Sequence, residues 1–269
     1  MPNDASAPPV VLTIAGSDPS GGAGLQADLK TFAAHGVFGL SAVTCSTAQV
    51  PGRVTDVEPA SPKHLAEQLK LLFESYPIAA IKTGMLFSTP LLEVVVAALD
   101  RQSAPCPLVV DPVMVATSGD PLLQPEAVDC YKSELLPRST LFTPNLDEAA
   151  VLLDGEKIAR AGLESAALEL CSRYCAPVLL KGGHLADGQA TDILALRDGR
   201  LQRFDAPFIE RVSTHGTGCT YSAAITARLA AGDSLPDAVA SAKSYITAAI
   251  SGSHRWSTGS EALNHFPAS

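Results

Sequence analysis

The sequence predicts an α/β fold, in which a central and mostly parallel β-sheet is flanked by helices. Two observations predict it. Strand-like apolar runs alternate with segments of helical length, beginning with VVLTIAG at Val10 and a helical segment from Gly24. The composition, with 46% apolar and 17% charged residues, is typical of strands buried on both faces. A chain of 269 residues also fits a single domain of this class.

Further strands and helices are predicted in the same alternating order. The strands are LSAVTCSTAQ from Leu40, AAIKTGM at Ala79, PLVVDPVM at Pro107, TLFTPN at Thr140 and VLLKGG at Val178. The helices begin at Ser61, at Thr89 (ending near Arg101), at Pro125 (ending at Leu136), at Ala161 (ending at Tyr174), near Gly216 and near Leu235.

One antiparallel element is expected late in the chain. The stretch TDILALRDGRLQRFDA from Thr191 predicts a β-hairpin that turns at Asp198-Gly199, because Asp-Gly favours tight hairpin turns. Residues 1–9 are predicted to be a flexible tail, since they are rich in Pro, Ser and Asn. No repeat or composition shift follows, so residues 10–269 are predicted to form one domain.

Charge and hydropathy exclude two classes of partner. The net charge is −9, and no run of Lys or Arg forms a stripe that would neutralise a nucleic-acid backbone. No apolar run reaches about 18 residues and the start lacks a secretory pattern, so we expect a cytoplasmic protein that does not enter membranes. The six cysteines are scattered and are expected to be reduced thiols.

The segment STHGTGCTYSAAI carries the strongest chemical signal. Small residues turn the chain directly into a helix, so several backbone N–H groups and the helix dipole favour a developing anion. Gly216, Thr217 and Gly218 would form this anion hole. Cys219 falls in the first helical turn, where we expect its pKa to be lowered and the thiolate to act as a base. The alternative is a glycine-rich helix start with a buried cysteine.

Oxygen ligands for a metal ion are predicted at two strand ends. Asn145 and Glu148 open a helix three residues apart and share a face, which would let them hold Mg²⁺ through water. The alternative is an ordinary capping box. Asp111 ends the strand LVVDP and is a further carboxylate, although Asp-Pro also opens turns.

Two further motifs point to a phosphate and to a flat ring. Lys181, followed by two glycines, is placed to meet ATP phosphates as a point charge, with His215 beside it; a solvated lysine is the alternative. The loop AGSDPSGGAGLQADLKT is a near match to a dinucleotide fingerprint, but its strand ends six residues too early. We expect it to pack against a flat ring and to open a helix carrying Asp28. No Walker A pattern occurs.

Six motifs occur in one order along the chain: IAGSDPSGGAGLQADLKTF, KTGM, DPVMVATSGDPLL, TPNLDEAA, LLKGGH and THGTGCTYSAA. Together they resemble the hydroxymethylpyrimidine/phosphomethylpyrimidine kinases of thiamine biosynthesis, in the ribokinase-like superfamily. The resemblance runs from about Val10 to Ile250. It implies a three-layer sandwich and a kinase that uses ATP and Mg²⁺ on 4-amino-5-hydroxymethyl-2-methylpyrimidine, then on its monophosphate. It also suggests a homodimer.

The resemblance implies a role for each matching residue. It makes Cys219 the base and residues 216–218 the anion hole. Lys181 would contact ATP phosphates, and Asn145 with Glu148 would belong to the surroundings of Mg²⁺. The pyrimidine would lie against Gly16 and Met85, with Gln49 and Asp28 nearest its ring nitrogens and amino group, and with Lys243 near the site.

Two departures from the family pattern and two alternative functions stay open. VPGRV follows Gln49 where the family often has Asn-Thr and Gly-Val, and SHRWSTGSEALNHF lacks the usual Gly-His-Gly-x-Gly-Pro run.

A pyridoxal or pyridoxine kinase would use the same scaffold, although its larger members resemble GTGD where this chain has GTGC. A non-catalytic nucleotide-binding relative is the other alternative.

Overall fold

A computed structural model describes residues 7–102, 104–114, 122–155, 158–185, 188–209 and 215–267. The strands are β1 (Val10–Ala15), β2 (Phe38–Val43), β3 (Cys45–Val50), β4 (Arg53–Pro59), β5 (Ile78–Thr83), β6 (Leu108–Val110), β7 (Leu141–Phe142), β8 (Val178–Leu185), β9 (Gln189–Ala195), β10 (Leu201–Pro207), β11 (His254–Arg255) and β12 (Glu261–Ala262). The α-helices are α1 (Gly24–Ala34), α2 (Pro62–Ser75), α3 (Thr89–Asp100), α4 (Ala127–Cys130), α5 (Leu146–Leu152), α6 (Leu163–Tyr174), α7 (Thr217–Ala230) and α8 (Leu235–Ser251).

Eight strands form one sheet in the order β10-β9-β8-β7-β6-β5-β1-β2. The strands from β8 to β2 pair in parallel, and β9 and β10 add an antiparallel edge. The predicted mostly parallel sheet is therefore confirmed. The predicted hairpin is confirmed as well, with Gly199 at φ 82° in its turn. No helix among the described residues is both long enough and apolar enough to cross a membrane.

The sheet is covered on both faces, which gives three layers. Successive side chains of β6 point to opposite faces, as strand geometry requires. Val110 packs in a cluster with α2, α3 and α6, while Val109 packs in a second cluster with α7 and α8. Helix α1 joins α7 on that second face through Phe32 and Ala223. The carboxyl ends of the parallel strands are left open between these layers.

The predicted strand from Leu40 is in fact two strands. Thr44 ends β2 because its hydroxyl donates to the carbonyl of Met85 at 2.7 Å and its own carbonyl accepts from Ala60. β3 then leaves the sheet and pairs antiparallel with β4. Gly52 turns this hairpin at φ 78°. We call β3 and β4 the flap. β4 was missed because its sequence RVTDVEP is charged and largely exposed.

Two other predictions need correction or limits. The helix predicted from Pro125 is short: α4 runs into one π-helical turn and one 3₁₀ turn, and Pro137, which has no N–H, lies at the end. The C-terminal stretch that departs from the family pattern forms the small hairpin β11–β12.

Residues 1–6 of the predicted tail lie outside the described residues, and the single-domain assignment stays a prediction. None of the six cysteines, all within the described ranges, forms a disulfide.

Candidate active site

A cleft of about 830 Å³ opens at the carboxyl ends of the central strands. Open parallel sheets bind ligands at this edge. The cleft is walled by the loops after β1, β5 and β6, by β8, by the start of α5 and α7, and by the flap. The residues predicted for the site that line it are Gly16, Gln49, Met85, Asp111, Asn145, Glu148, Lys181, His215, Gly216, Thr217, Gly218 and Cys219.

Helix α7 presents its N-terminus to the cleft. Gly216 stands just before it at φ 82°, and its carbonyl accepts from the N–H of Thr220 at 2.9 Å, which starts the helix. Only glycine fits here, since a Cβ would lie 1.8 Å from the carbonyl oxygen of Gly22. The first N–H groups of a helix have no partner within it, so those of Thr217, Gly218 and Cys219 provide an anion-binding end.

Cys219 is half-buried in the cleft wall, and its ionisation differs from the prediction. Burial raises the pKa of its thiol to about 11, although Lys82 lowers it. Two carboxylates, Asp28 and Asp111, raise it further. The prediction of a lowered pKa is therefore wrong for this site. The desolvation of the sulfur and the two nearby negative charges outweigh the helix end, whose effect is confined to one turn.

Asp28 does not face the cleft, so its predicted contact with the ring is wrong. Its side chain is fully buried. It accepts a hydrogen bond from Thr13 at 2.6 Å and from the Lys82 ammonium at 2.5 Å. Burial alone would lower the pKa of Lys82, but Asp28 raises it, so the lysine stays charged. Lys82 sits in the floor of the cleft.

Lys181, on β8, and Asp111, just after β6, form an ion pair. The Lys181 Nζ lies 3.0 Å from Asp111 Oδ1, which also accepts from Thr143 at 3.1 Å. Ser222 on α7 donates to Asp111 Oδ2 at 3.2 Å. Burial alone would raise the pKa of Asp111, but the two lysines beside it, Lys181 and Lys82, lower it. The carboxylate is thus ionised and already holds three donors.

Asn145 and Glu148 form the capping box that was the alternative prediction. Asn145 Oδ1 accepts from the Glu148 N–H, and Glu148 Oε2 accepts from the Asn145 N–H, both at 2.8 Å. Burial raises the pKa of Glu148 to about 7. Within the described ranges, no three His, Cys, Asp or Glu residues stand together as a metal site. The oxygens of these residues fit Mg²⁺ held through its water shell, which is how this ion commonly binds.

His215, just before the start of α7, contacts the loop after β1. Its Nε2 lies 2.8 Å from Asp18 Oδ2. Asp18 also accepts from the N–H groups of Ser20 at 2.9 Å and Ala23 at 2.8 Å. Burial alone would raise the pKa of Asp18, but these hydrogen bonds lower it. The loop and the start of α7 are therefore held together by an ionised carboxylate.

The other end of the cleft suits a flat ring. Gly16 is closely packed: a Cβ there would lie 2.7 Å from Cys45 Sγ and 3.2 Å from Met85 Sδ. Gln49 lies above on the flap, where Thr47 Oγ1 donates to its Oε1 at 3.3 Å. Arg53, also on the flap, lines the cleft as well. This end combines an apolar wall with one amide that can both donate and accept.

Lys243 lies near the site, since its partner Asp192 pairs with Lys181 across β8 and β9, but it does not line the cleft, and its contact with ATP phosphates stays a prediction. Its ammonium donates to Asp192 Oδ2 at 2.7 Å and to the carbonyl of Ala190 at 2.9 Å. Both partners lie on β9, which runs behind β8 as seen from the cleft centre. A buried lysine needs such partners, and here they bind α8 to the sheet.

Several cleft residues received no role from the sequence, among them Lys82, Asp18 and Arg53. One signal was available for Lys82. It stands in the apolar strand AAIKT, and a lysine is almost never fully buried unless it is paired. Its partner, 54 positions earlier on α1, follows only from the parallel pairing of β1 with β5. No local signal marks Asp18 or Arg53, because their surroundings come from distant segments.

Comparisons with known proteins agree with this geometry. The profile of the family described as phosphomethylpyrimidine kinase matches residues 18–264. The hydroxymethylpyrimidine/phosphomethylpyrimidine kinase of Escherichia coli K12 is 47% identical over 243 residues, which are 89% of this chain and 90% of the relative. The kinase of the same description from Haemophilus influenzae is 42% identical over 259 residues, which are 95% and 96% of the two chains.

Solved structures share the whole fold. A pyridoxal kinase from Bacillus subtilis superposes with a TM-score of 0.87 over 96% of this chain and 98% of that one, at 33% identity. A phosphomethylpyrimidine kinase from Clostridium difficile superposes with a TM-score of 0.77 over 90% and 99%, at 40% identity. The predicted ribokinase-like sandwich is thereby confirmed. The chain is a kinase, and it belongs to the phosphomethylpyrimidine kinase family.

Proposed function

We propose that this protein transfers the γ-phosphoryl group of ATP to the hydroxymethyl group of 4-amino-5-hydroxymethyl-2-methylpyrimidine, and then to the phosphate of the resulting monophosphate. One observation carries the proposal. The cleft places an apolar wall with a hydrogen-bonding amide, Gln49, beside the N-terminus of α7 and the ammonium of Lys181. A flat pyrimidine and a transferring phosphoryl group would thus share one cavity. The bacterial relatives, which are hydroxymethylpyrimidine/phosphomethylpyrimidine kinases, support this substrate pair.

The first phosphorylation needs a proton acceptor, which we assign to Cys219. Its thiolate takes the proton of the acceptor hydroxyl while that oxygen forms a bond to the γ-phosphorus. The bond from the γ-phosphorus to the bridging oxygen breaks, and ADP leaves with the electron pair. The N–H groups of residues 217–219 and the ammonium of Lys181 stabilise the charge on the transferred group.

The second phosphorylation needs no such acceptor. A phosphate monoester has a second pKa near 6, so its attacking oxygen is already deprotonated at neutral pH. Catalysis of this step then needs only that the reacting groups are positioned and that charge on the transferred phosphoryl group is stabilised, because phosphoryl transfer has a loose transition state. The same cleft can therefore serve both acceptors, although only the first one depends on the thiol of Cys219.

Mg²⁺ fits the nucleotide side of the cleft. We assign its surroundings to Asp111, Asn145 and Glu148, whose oxygens are engaged within the chain and would meet the ion through water. When bound, the ion neutralises charge on the ATP phosphates. A carboxylate must be deprotonated to help hold it, so Glu148, with its pKa raised to about 7, should do so better above neutral pH.

Pyridoxal is the second candidate acceptor, because pyridoxal kinases superpose on this chain with TM-scores up to 0.87. We favour the pyrimidine, since sequence identity to the pyrimidine kinases reaches 47%, against 33% for the pyridoxal kinase structures.

Homodimerisation and a cytoplasmic location remain proposals that rest on the family resemblance. Light scattering of the purified protein tests the first of these.

Turnover with three acceptors tests the proposed function. We would measure ADP release with Mg·ATP and the hydroxymethylpyrimidine, its monophosphate or pyridoxal, and identify the products by chromatography. Both pyrimidines should be phosphorylated with a higher kcat/KM than pyridoxal. A higher kcat/KM for pyridoxal would make that ring the substrate. The absence of Mg²⁺-dependent turnover on all three would favour a non-catalytic relative.

A further inference from the structure

The described part of the cleft wall contains three Lys and Arg side chains, and they differ in how they are paired. The ammonium of Lys82 lies 2.5 Å from Asp28 Oδ1, and that of Lys181 lies 3.0 Å from Asp111 Oδ1. The third is Arg53, whose side chain has no ion pair or hydrogen bond with any residue that the structure describes. Arg53 therefore brings to the cleft a positive charge that is not engaged by the described part of the chain.

Arg53 stands at the tip of the flap. Gly52 turns the hairpin at φ 78°, and a Cβ there would have no atom within 4 Å. The base of the flap is fixed instead: Thr47 Oγ1 donates to the carbonyl of Ser17 at 2.9 Å, and the Thr47 N–H donates to Ser17 Oγ at 3.2 Å. The guanidinium is thus carried on an anchored hairpin whose tip is exposed and has room to adjust to a bound ligand.

The register of the flap places Arg53 at the ring end of the cleft. Gln49, which we assign to the edge of the ring, pairs with Val54, the residue that follows Arg53 along β4. The Cα atoms of directly opposed residues in an antiparallel pair lie about 4.5–5.5 Å apart. A substituent on a ring that contacts Gln49 is therefore within reach of the long side chain of Arg53.

The two proposed acceptors differ by one phosphate group, which is the ligand that Arg53 fits. This group carries about −1.5 to −2 charges at pH 7, and it must lie beside the ATP phosphates when it attacks. A guanidinium can bind phosphate through two parallel hydrogen bonds, which provides a defined geometry as well as charge. The segment VPGRV, which contains Arg53, departs from the family pattern, so the family assignment does not account for this residue.

We propose that Arg53 binds the phosphate group of the monophosphate acceptor and thereby makes the flap selective for the second phosphorylation. The guanidinium neutralises charge that the hydroxymethyl acceptor lacks, whereas Gln49 contacts the ring in both steps. The inference rests on the proposed function, since it requires that a phosphorylated pyrimidine enters this cleft.

The experiment measures the binding and the turnover of both acceptors in variants of the full chain. Calorimetry gives Kd for the hydroxymethylpyrimidine and for its monophosphate in the absence of ATP, so this readout does not depend on catalysis. Arg53→Met removes the charge and keeps a long side chain, while Arg53→Lys keeps the charge but cannot form the two parallel hydrogen bonds. Arg101→Met is the control, because Arg101, at the end of α3, is also exposed and has no ion pair among the described residues.

Hydrogen bonds between charged groups are the strong ones, so Arg53→Met should raise Kd for the monophosphate by about 10- to 100-fold relative to Kd for the hydroxymethylpyrimidine. The ratio of kcat/KM for the monophosphate to kcat/KM for the hydroxymethylpyrimidine should fall by a similar factor. Arg53→Lys should recover part of the loss, and Arg101→Met should match the wild type.

The binding and turnover measurements separate this proposal from the proposed function. A wild-type protein that binds the monophosphate but turns over neither acceptor would contradict the proposed function, and the ratio of Kd values would still test Arg53. An unchanged ratio of Kd values in Arg53→Met would overturn the role of Arg53, as would a wild-type protein that does not bind the monophosphate. A rise confined to KM for ATP would also overturn it, because the guanidinium would then contact the nucleotide.

Discussion

Lys181 on β8 and Asp111 just after β6 form an ion pair beside the start of helix α7, where Nζ and Oδ1 are 3.0 Å apart. The pair places an ammonium 3.2 Å from the position of a Cβ on Gly218, and therefore directly at the anion-binding end of the helix. A cation in this position stabilises charge that develops on the transferred phosphoryl group.

Loss of the Lys181 charge should therefore affect rate more than acceptor binding. We expect Lys181→Met to lower kcat by about 10²-fold or more, as for other preorganised charge contacts, with KM for the pyrimidine changed little. Steady-state kinetics with both acceptors measures this. Lys132→Met, at an exposed ion pair with Asp154, is the matched control. A kcat near that of the wild type in Lys181→Met would remove Lys181 from the phosphate site.

Gln49 is predicted to recognise the edge of the ring. It lines the cleft from the flap, and its amide can both donate to and accept from an aminopyrimidine. Gln49→Ala should raise KM for the hydroxymethylpyrimidine and leave KM for ATP unchanged. Thr55→Ala, which alters an exposed side chain on the same hairpin, serves as the control. A changed KM for ATP with an unchanged KM for the pyrimidine would move the ring pocket elsewhere.

Glu148 should make folding stability depend on pH near neutrality. Its pKa is raised from 4.5 to about 7, so the folded state binds this proton more tightly than the unfolded state. The associated stability is fully present below pH 4.5 and is lost as the pH rises through 7. Glu148→Gln stays neutral and can keep the hydrogen bond to the Asn145 N–H.

We therefore expect Glu148→Gln to match the wild type in urea unfolding at pH 5, and to exceed it by about 2–3 kcal/mol at pH 8.5, at 1.36 kcal/mol per pKa unit. Glu164→Gln, in the first turn of α6, controls for the loss of one surface charge. A constant difference between Glu148→Gln and wild type at the two pH values would show that Glu148 does not titrate in this range.

The raised pKa of Cys219, about 11, predicts a rate that rises with pH. The thiolate fraction grows tenfold per pH unit below the pKa, so kcat for the hydroxymethylpyrimidine should rise by about that factor from pH 8 to 9. The monophosphate should show no such rise, because its attacking oxygen is already ionised. Cys219→Asp, with a base that is ionised throughout, should flatten the profile. A wild-type profile that is flat for both acceptors would exclude the thiolate as the base.

The sequence predicted the fold well because the signals for it are local. Apolar runs such as VVLTIAG mark buried strands, and Asp-Gly marks the hairpin turn. Most of the site was predicted for a related reason, since the residues after parallel strands meet at one edge of the sheet. Gly16, Asp111 and Lys181 reach the cleft in this way.

The errors arose where a property depends on contacts between distant segments. The pKa of Cys219 is set by burial and by carboxylates on α1 and after β6, none of which a neighbouring residue reveals. Asp28 and Lys243 were predicted to contact the ligands because the motifs that contain them match the family pattern. In the structure, each side chain instead points to a buried partner, Lys82 for Asp28 and Asp192 for Lys243. The second strand of the flap, β4, was missed because it buries too little apolar surface to give a strong pattern.

If one cleft phosphorylates two acceptors, the loss of Cys219 should affect only the first of them. The most direct test is kcat for each acceptor in Cys219→Ala, with folding checked by circular dichroism. We predict that kcat falls by about 10²- to 10⁴-fold on the hydroxymethylpyrimidine, the range for general-base catalysis, and by less than 10-fold on its monophosphate. Equal losses on both acceptors, or wild-type rates on both, would contradict it.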